Sequence, residues 1–342
     1  MLVAAPALGA RVVWGLIGLF VTAFALAPVL LSHDVFSYLD YARLGVVHGL
    51  DPYVHAPDTV PTDPAYSDVT WTETTSAYGP LFTLATYPLA WLPVGLAVAV
   101  LKGVAALSVL ALAALLARLA AWRGVDPLRA AAFLALNPLV LVHVVGGAHN
   151  DGLMMLLAML AVAALLVGRE ASAGAALVAA IAVKASAAFL APFALVGAPR
   201  RSRLVGGAAL AAVIVALAAY LGFGWDWTHA FGLAGENQSR TSHLSIPITF
   251  ARLTGFGADP VRAVALGLYA AALVALLVWT WRGGDWVRAA GWAALGLLLA
   301  TSWLLPWYLI WALPLAAISR DRPLQLLTLA LTAYQLGARI PL

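Results

Sequence analysis

Apolar runs about as long as a bilayer span alternate along the chain with short stretches rich in arginine or in acids. A crossing helix needs about 20 apolar residues at about 1.5 Å rise each. Runs that meet or approach this length are 12–31, 97–117, 130–146, 152–168, 204–222, 261–281, 289–305 and 324–338. The first exceeds the apolar core of a signal peptide and is not followed by a small-residue cleavage site, so a retained helix is expected. Two regions resist counting. Residues 79–95 are apolar but carry Pro80, Pro88 and Pro93, which suits an interfacial or half-inserted segment. Residues 171–199 would reach about 43 Å as one helix, too long for an upright span and too short for two.

Arginine placement resolves both. Arg11, Arg118, Arg123, Arg129, Arg169, Arg200, Arg201, Arg203, Arg282, Arg288, Arg320 and Arg322 fall on one side if 79–95 does not cross and 171–199 enters and returns. That side then carries 12 basic and 4 acidic residues against 7 and 11 opposite, the bias expected of a cytoplasmic face. The expectation is an all-α polytopic membrane protein of about 9–11 helices, some short or broken, with its N-terminus inside. Residues 32–96 form a large external loop with amphipathic or interfacial helices, 223–259 a second external loop, and 306–318 a short helix starting at Pro306. Lys184 falls near the apex of the 171–199 excursion.

Composition agrees with this reading. Hydrophobic residues make up 63% of the 342 positions and charged ones 10%, against about 25% charged in soluble domains. Residues 1–342 are therefore expected to form a single integral-membrane domain. The net charge of +4 reflects cytoplasmic arginines and not a nucleic-acid partner. The chain has no cysteine, so no disulfide ties its loops.

Three polar islands could do chemistry, all expected on the outer face. In SHDVFSYLDYARLGVVHGLDPY (32–53), Asp34 precedes an amphipathic helix and Asp40 lies within it; Asp34 is either an N-cap or a functional carboxylate. In NPLVLVHVVGGAHNDGLMML (137–156), Asn137-Pro138 breaks a helix, and His149, Asn150 and Asp151 either cap the next helix or hold a ligand. One His and one Asp are too few for a metal, so no metal or other cofactor is expected. Lys184 is either a snorkelling residue or the partner of an anion such as a lipid phosphate, since no acid lies between Ala171 and Pro199. Arg240 and His243 are further phosphate candidates. The chain shows no internal repeat, and its ionisable residues gather at one face, which disfavours a transporter or lipid flippase.

These blocks, with SAYGPLFTL (76–84) and LPWYLIWALPLA (305–316), occur in one order. From about residue 12 to 320 the chain resembles the actinobacterial polyprenol-phosphomannose-dependent α-1,6-mannosyltransferases, which belong to the GT-C class of membrane glycosyltransferases. Members are considerably longer, so C-terminal helices are expected to be missing here. The resemblance implies transfer of a sugar from a polyprenyl-phosphate donor to a glycan or glycolipid hydroxyl on the extracytoplasmic face of the plasma membrane. Mannose is the first expectation, with arabinofuranose or glucose as alternatives. It also implies inversion with Asp34 as general base. Substrate contacts are then expected from Tyr78, Trp307 and Tyr308 of the matching blocks, together with Asp40, His149, Asn150, Asp151, Lys184, Arg240 and His243.

Overall fold

The structure, a computed structural model, describes residues 8–236 and 239–338; among these it is helical and contains no strand. Four helices are long and apolar enough to cross a membrane: Gly9–Leu26, Val94–Trp122, Arg201–Phe223 and Ala258–Trp281. Shorter apolar helices fill the space between them, and those are where the chain breaks.

Helix α1 (Gly9–Leu26) ends at the Ala27-Pro28 pair, and α2 (Asp34–Val46) comes next across its end. Helix α3 (Pro80–Thr86) and the 3₁₀ turn Tyr87–Trp91 pack on α2 and are together shorter than a span, with prolines where the pieces begin. Helix α4 (Val94–Trp122) runs back to the other end. Near its start Lys102 is buried and donates from Nζ to the carbonyls of Ala27 and Pro28, the latter at 3.1 Å. It satisfies carbonyls that the end of α1 would otherwise leave unpaired.

The expected 130–146 span is broken. Helix α5 (Pro127–Ala135) stops at Asn137, whose Oδ1 accepts from the Leu139 amide at 3.0 Å and whose Nδ2 donates to Thr332 Oγ1 at 3.1 Å. A π-helical turn, Val140–Val145, completes the passage, with the Gly146 amide bonded to the Leu141 carbonyl at 2.9 Å. Helix α6 (Asp151–Leu166) returns.

Residues 171–199 enter and come back, as their length requires. Helix α7 (Glu170–Val183) ends at Lys184, whose backbone is extended, and a 3₁₀ turn at Ala185–Leu190 leads into α8 (Ala191–Gly197). The feet of this hairpin are clasped by Arg200 Nε on Glu170 Oε1 at 3.0 Å. Helix α9 (Arg201–Phe223) lies so close to α7 that a Cβ on Gly174 would run into the Leu204 carbonyl, and one on Gly207 into that of Ala171. Small residues at a helix contact permit this approach, the usual solution where lipid supplies no hydrophobic drive.

After α10 (His229–Glu236) and α11 (Ile246–Thr254), the lipid-facing α12 (Ala258–Trp281) leads to α13 (Trp286–Ala300). A 3₁₀ segment, Pro306–Trp311, continues into α14 (Leu313–Ile318), and α15 (Arg322–Gly337) comes last. The arginine-bearing turns come together at one end. Arg123 pairs with Asp285 and donates to the Ile318 carbonyl, Arg320 donates to the Arg123 carbonyl, and Arg288 pairs with Asp321 at 2.5 Å. The four acids at this end are all used: Asp126, Asp285 and Asp321 cap α5, α13 and α15, and Glu170 closes the hairpin. The three polar islands lie at the opposite end.

Candidate active site

Asp34 does not cap α2. His33 occupies the N-cap position without a side-chain bond, and Asp34 begins the first turn. Its carboxylate turns away from the helix: Oδ1 accepts from Trp71 Nε1 at 3.0 Å, and Oδ2 lies 3.6 Å from His149 Nδ1. Asp34 is only 9% exposed. Burial raises its pKa, as does the nearby charge of Asp151, while the Trp71 hydrogen bond and the Lys184 ammonium oppose that rise. The helix N-terminus also favours the anion. The result is a carboxylate that is basic for its kind yet held in one orientation.

It opens onto a cavity of about 300 Å³ between the first loop, the hairpin apex and the segment around Pro306–Trp311. Tyr41, Trp71 and Tyr78 line one side of this cavity, and Trp303, Trp307 and Tyr308 another. Two cations reach it. Lys184 stands at the apex break with Nζ 5.2 Å from the Tyr308 ring centre, and Arg240 lies over Trp71 and Trp303 at 5.1 and 5.9 Å. Aromatic walls suit the apolar faces of a sugar ring, and the cations suit an anionic group beside it.

The HND island lies behind this wall, not on it. His149, Asn150 and Asp151 are buried and absent from the cavity lining, so they are not placed to touch a sugar. Nor do they cap: neither Asn150 nor Asp151 makes a side-chain bond to the start of α6. Both oxygens of Asp151 are taken, Oδ2 by Lys184 Nζ at 2.7 Å and Oδ1 by Trp311 Nε1 at 2.7 Å. Lys184 therefore has an acid after all, supplied by a helix remote in sequence from its own run. Its ammonium has donors to spare, because only one of the three engages Asp151. Ala148, just before the island, holds φ at 55°, a left-handed conformation that costs a non-glycine residue about 1 kcal/mol.

Two further expectations are corrected. Asp40 faces away from the cavity and is 1% exposed, beside an Asp63 that accepts from Arg43 and His48, both at 2.7 Å. Six positions beyond Asp34 on a helix is more than one and a half turns, which carries its side chain to another face. His243 is exposed and outside the lining, its carbonyl serving Thr249 Oγ1. Asp34, Tyr78, Lys184, Arg240, Trp307 and Tyr308 do meet at the cavity. Trp71, Trp303 and Trp311 were not anticipated. The Trp71 and Trp311 indoles donate to buried carboxylates, a use that nothing in their sequence neighbourhood signals. Among the described residues, no three His, Asp or Glu side chains converge as a metal ion would require.

Residues 2–200 match the family described as alpha-(1->6)-mannopyranosyltransferase, N-terminal domain. Alpha-(1->6)-mannopyranosyltransferase A of Mycobacterium tuberculosis is 32% identical over 366 residues, covering 93% of this chain and 69% of that protein. The protein of the same name from Corynebacterium glutamicum is 31% identical over 175 residues, 49% of this chain and 35% of its own. A probable alpha-(1->6)-mannopyranosyltransferase of Mycolicibacterium smegmatis is 33% identical over 153 residues, 40% of this chain and 26% of its own. No solved structure matches. With the family matched over more than half of its length, and a relative aligned across most of both sequences, the chain belongs to the alpha-(1->6)-mannopyranosyltransferase family of glycosyltransferases.

Proposed function

We propose that the protein transfers a mannosyl group from a polyprenyl-phosphate donor to a hydroxyl of a glycan or glycolipid, on the extracytoplasmic side, with inversion and with Asp34 as the base. The observation that carries this reading is that Asp34 shares one cavity with two cations and an aromatic wall. The names of the relatives supply the sugar and the linkage class.

In this reading the acceptor hydroxyl attacks the anomeric carbon while Asp34 takes its proton. Burial raises the carboxylate's proton affinity, which makes it a better base once ionised. One base suffices for direct displacement, whereas retention needs a second carboxylate as nucleophile. The bond from the anomeric carbon to the phosphate oxygen breaks, its electron pair stays with the phosphate, and Lys184 and Arg240 stabilise the added charge. No metal or other cofactor is needed for these roles, since the base and both cations come from the chain. The arginine-rich end favours the cytoplasm, which turns the cavity outward.

Purified protein offered a panel of polyprenyl-phosphate sugars with glycan and glycolipid acceptors should transfer mannose in preference to arabinofuranose or glucose. Asp34→Asn should abolish turnover while leaving folding and donor binding intact. More than a tenth of the wild-type rate in that variant would refute the base assignment. The side is tested at Thr62, which is exposed in the first loop. In this cysteine-free chain, Thr62→Cys should react with a membrane-impermeant thiol reagent from outside, and labelling only from the cytoplasm would invert the topology.

A further inference from the structure

His149 is a fully buried titratable side chain next to the base. It has no exposed surface, and neither ring nitrogen has a hydrogen-bond partner. The ring is stacked on Trp307, with centroids 3.8 Å apart and planes 19° apart. A buried imidazole without partners costs free energy, and the turn that delivers it carries the left-handed Ala148. Stacking alone could be met by a phenylalanine. What an imidazole adds is an N–H, and a carboxylate acceptor, Asp34 Oδ2, lies 3.6 Å from Nδ1. Contacts of this kind in unliganded sites shorten when substrate binds.

We propose that His149 is a positioning residue for the base: its neutral ring donates Nδ1–H to Asp34 Oδ2, opposite the Trp71 donor on Oδ1, and so holds the carboxylate ionised and aimed into the cavity. The idea rests on the Asp34 reading above. The titratable groups facing the pair are Asp151 from α6, Lys184 from the hairpin apex, His143 from the π-helical turn, and Tyr38, Tyr41, Tyr78 and Tyr308. Burial, followed by the charge of Lys184, disfavours a proton on the second ring nitrogen, so the ring acts as a donor and not as a proton store. Loss of the donor removes a bond made to the charged form of Asp34, and a carboxylate that loses such a bond ionises at higher pH.

The experiment is the pH profile of kcat/KM for His149→Phe and His149→Gln. Phenylalanine keeps the stacking and loses the N–H; glutamine keeps an N–H and loses the stacking. His149→Phe should move the acid limb up by about one pH unit and lower kcat/KM at least about tenfold below that limb. His149→Gln should keep the limb within about 0.3 unit of wild type, with thermal unfolding midpoints confirming that both variants fold. If the Phe ring proves too large, His149→Leu serves the same arm. A limb unmoved in the Phe or Leu variant, or moved equally in the Gln variant, overturns the proposal. Asp34→Asn measured alongside separates the two ideas. A variant still active there sinks the base assignment and this inference with it. An inactive Asp34→Asn beside an unmoved His149→Phe limb sinks only the inference.

Discussion

Replacing Lys184 by methionine should first be a folding lesion, and its size is set by what the lysine leaves behind. Asp151 has no exposed surface and keeps only the Trp311 hydrogen bond when Lys184 is gone. Breaking a buried ion pair from one side costs about 3–5 kcal/mol. The Lys184 side chain retains 16% exposure, so the lower end, about 3 kcal/mol, is expected. Asp151→Asn alone should cost less, about 1–2 kcal/mol, because the stranded ammonium faces the cavity. In the double variant the asparagine carbonyl still accepts from Trp311 and no charge is buried, so the losses should not add. A double-mutant cycle on thermal unfolding in one detergent should yield a coupling of at least about 1.5 kcal/mol. Additive losses would refute the structural role assigned to this pair. The double variant then isolates the chemistry. With folding restored, donor affinity and kcat/KM should remain at least about tenfold down, about 1.4 kcal/mol, if the ammonium holds the phosphate. Normal kinetics in a stable double variant would leave Lys184 as a partner of Asp151 alone.

Three other outcomes are expected. With Asp34 as the proposed base, the acid limb of kcat/KM should lie above the ordinary carboxylate range, and Trp71→Phe should move it higher still by removing a bond to the charged form; a limb near pH 4 in both would refute this. Burial, followed by the charge of Asp63, pushes the Asp40 carboxyl up to about 7. Its folded-state pKa exceeds the unfolded one, so stability is fullest below about pH 4 and falls as pH rises to about 7. Asp40→Asn should therefore unfold at higher temperature than wild type at pH 8, be nearly neutral at pH 4, and reduce turnover less than Asp34→Asn does. Finally, Gly207→Leu should unfold the α7–α9 contact, since even a Cβ there meets the Ala171 backbone; wild-type stability would mean that these helices do not pack as described.

The features that could be read in the sequence and those that could not divide along a physical line. Apolar run length and proline position mark where helices stop, so the short helical pieces within 79–95 and the break within 171–199 were both legible. Arginine bias gathers the loops, and the structure brings those arginines together at one end. Asp34 was legible only as one of two readings, a helix cap or a functional carboxylate, and its position inside the first turn removes the cap. Partnership was not legible. Lys184 and Asp151 lie 33 residues apart, and Trp311 and Asp151 lie 160 apart; periodicity places a side chain on a face but does not say which helix will meet it. Lys102 sends the same signal as Lys184, a lone charge in an apolar run, yet it serves as a cap for α1. A charge at membrane depth thus indicates that an acceptor exists, without telling a carbonyl from a carboxylate.

The π-helical turn at Val140–Val145 carries one residue more than an α-helical turn would. Each residue of an α-helix rotates the chain beyond it by about 100°. The wider turn takes up that residue within a single winding, so deleting one aliphatic residue here would let it relax to α geometry and leave the 149–151 island close to Asp34 and Lys184. Inserting a residue has no such outlet and would swing the island by about 100°. Between Asn137 and His149 the loss of one aliphatic residue should therefore be tolerated better than the gain of one. Exchanges among the aliphatic side chains should be milder than changes at Gly146 or Gly147, where a Cβ would meet backbone carbonyls.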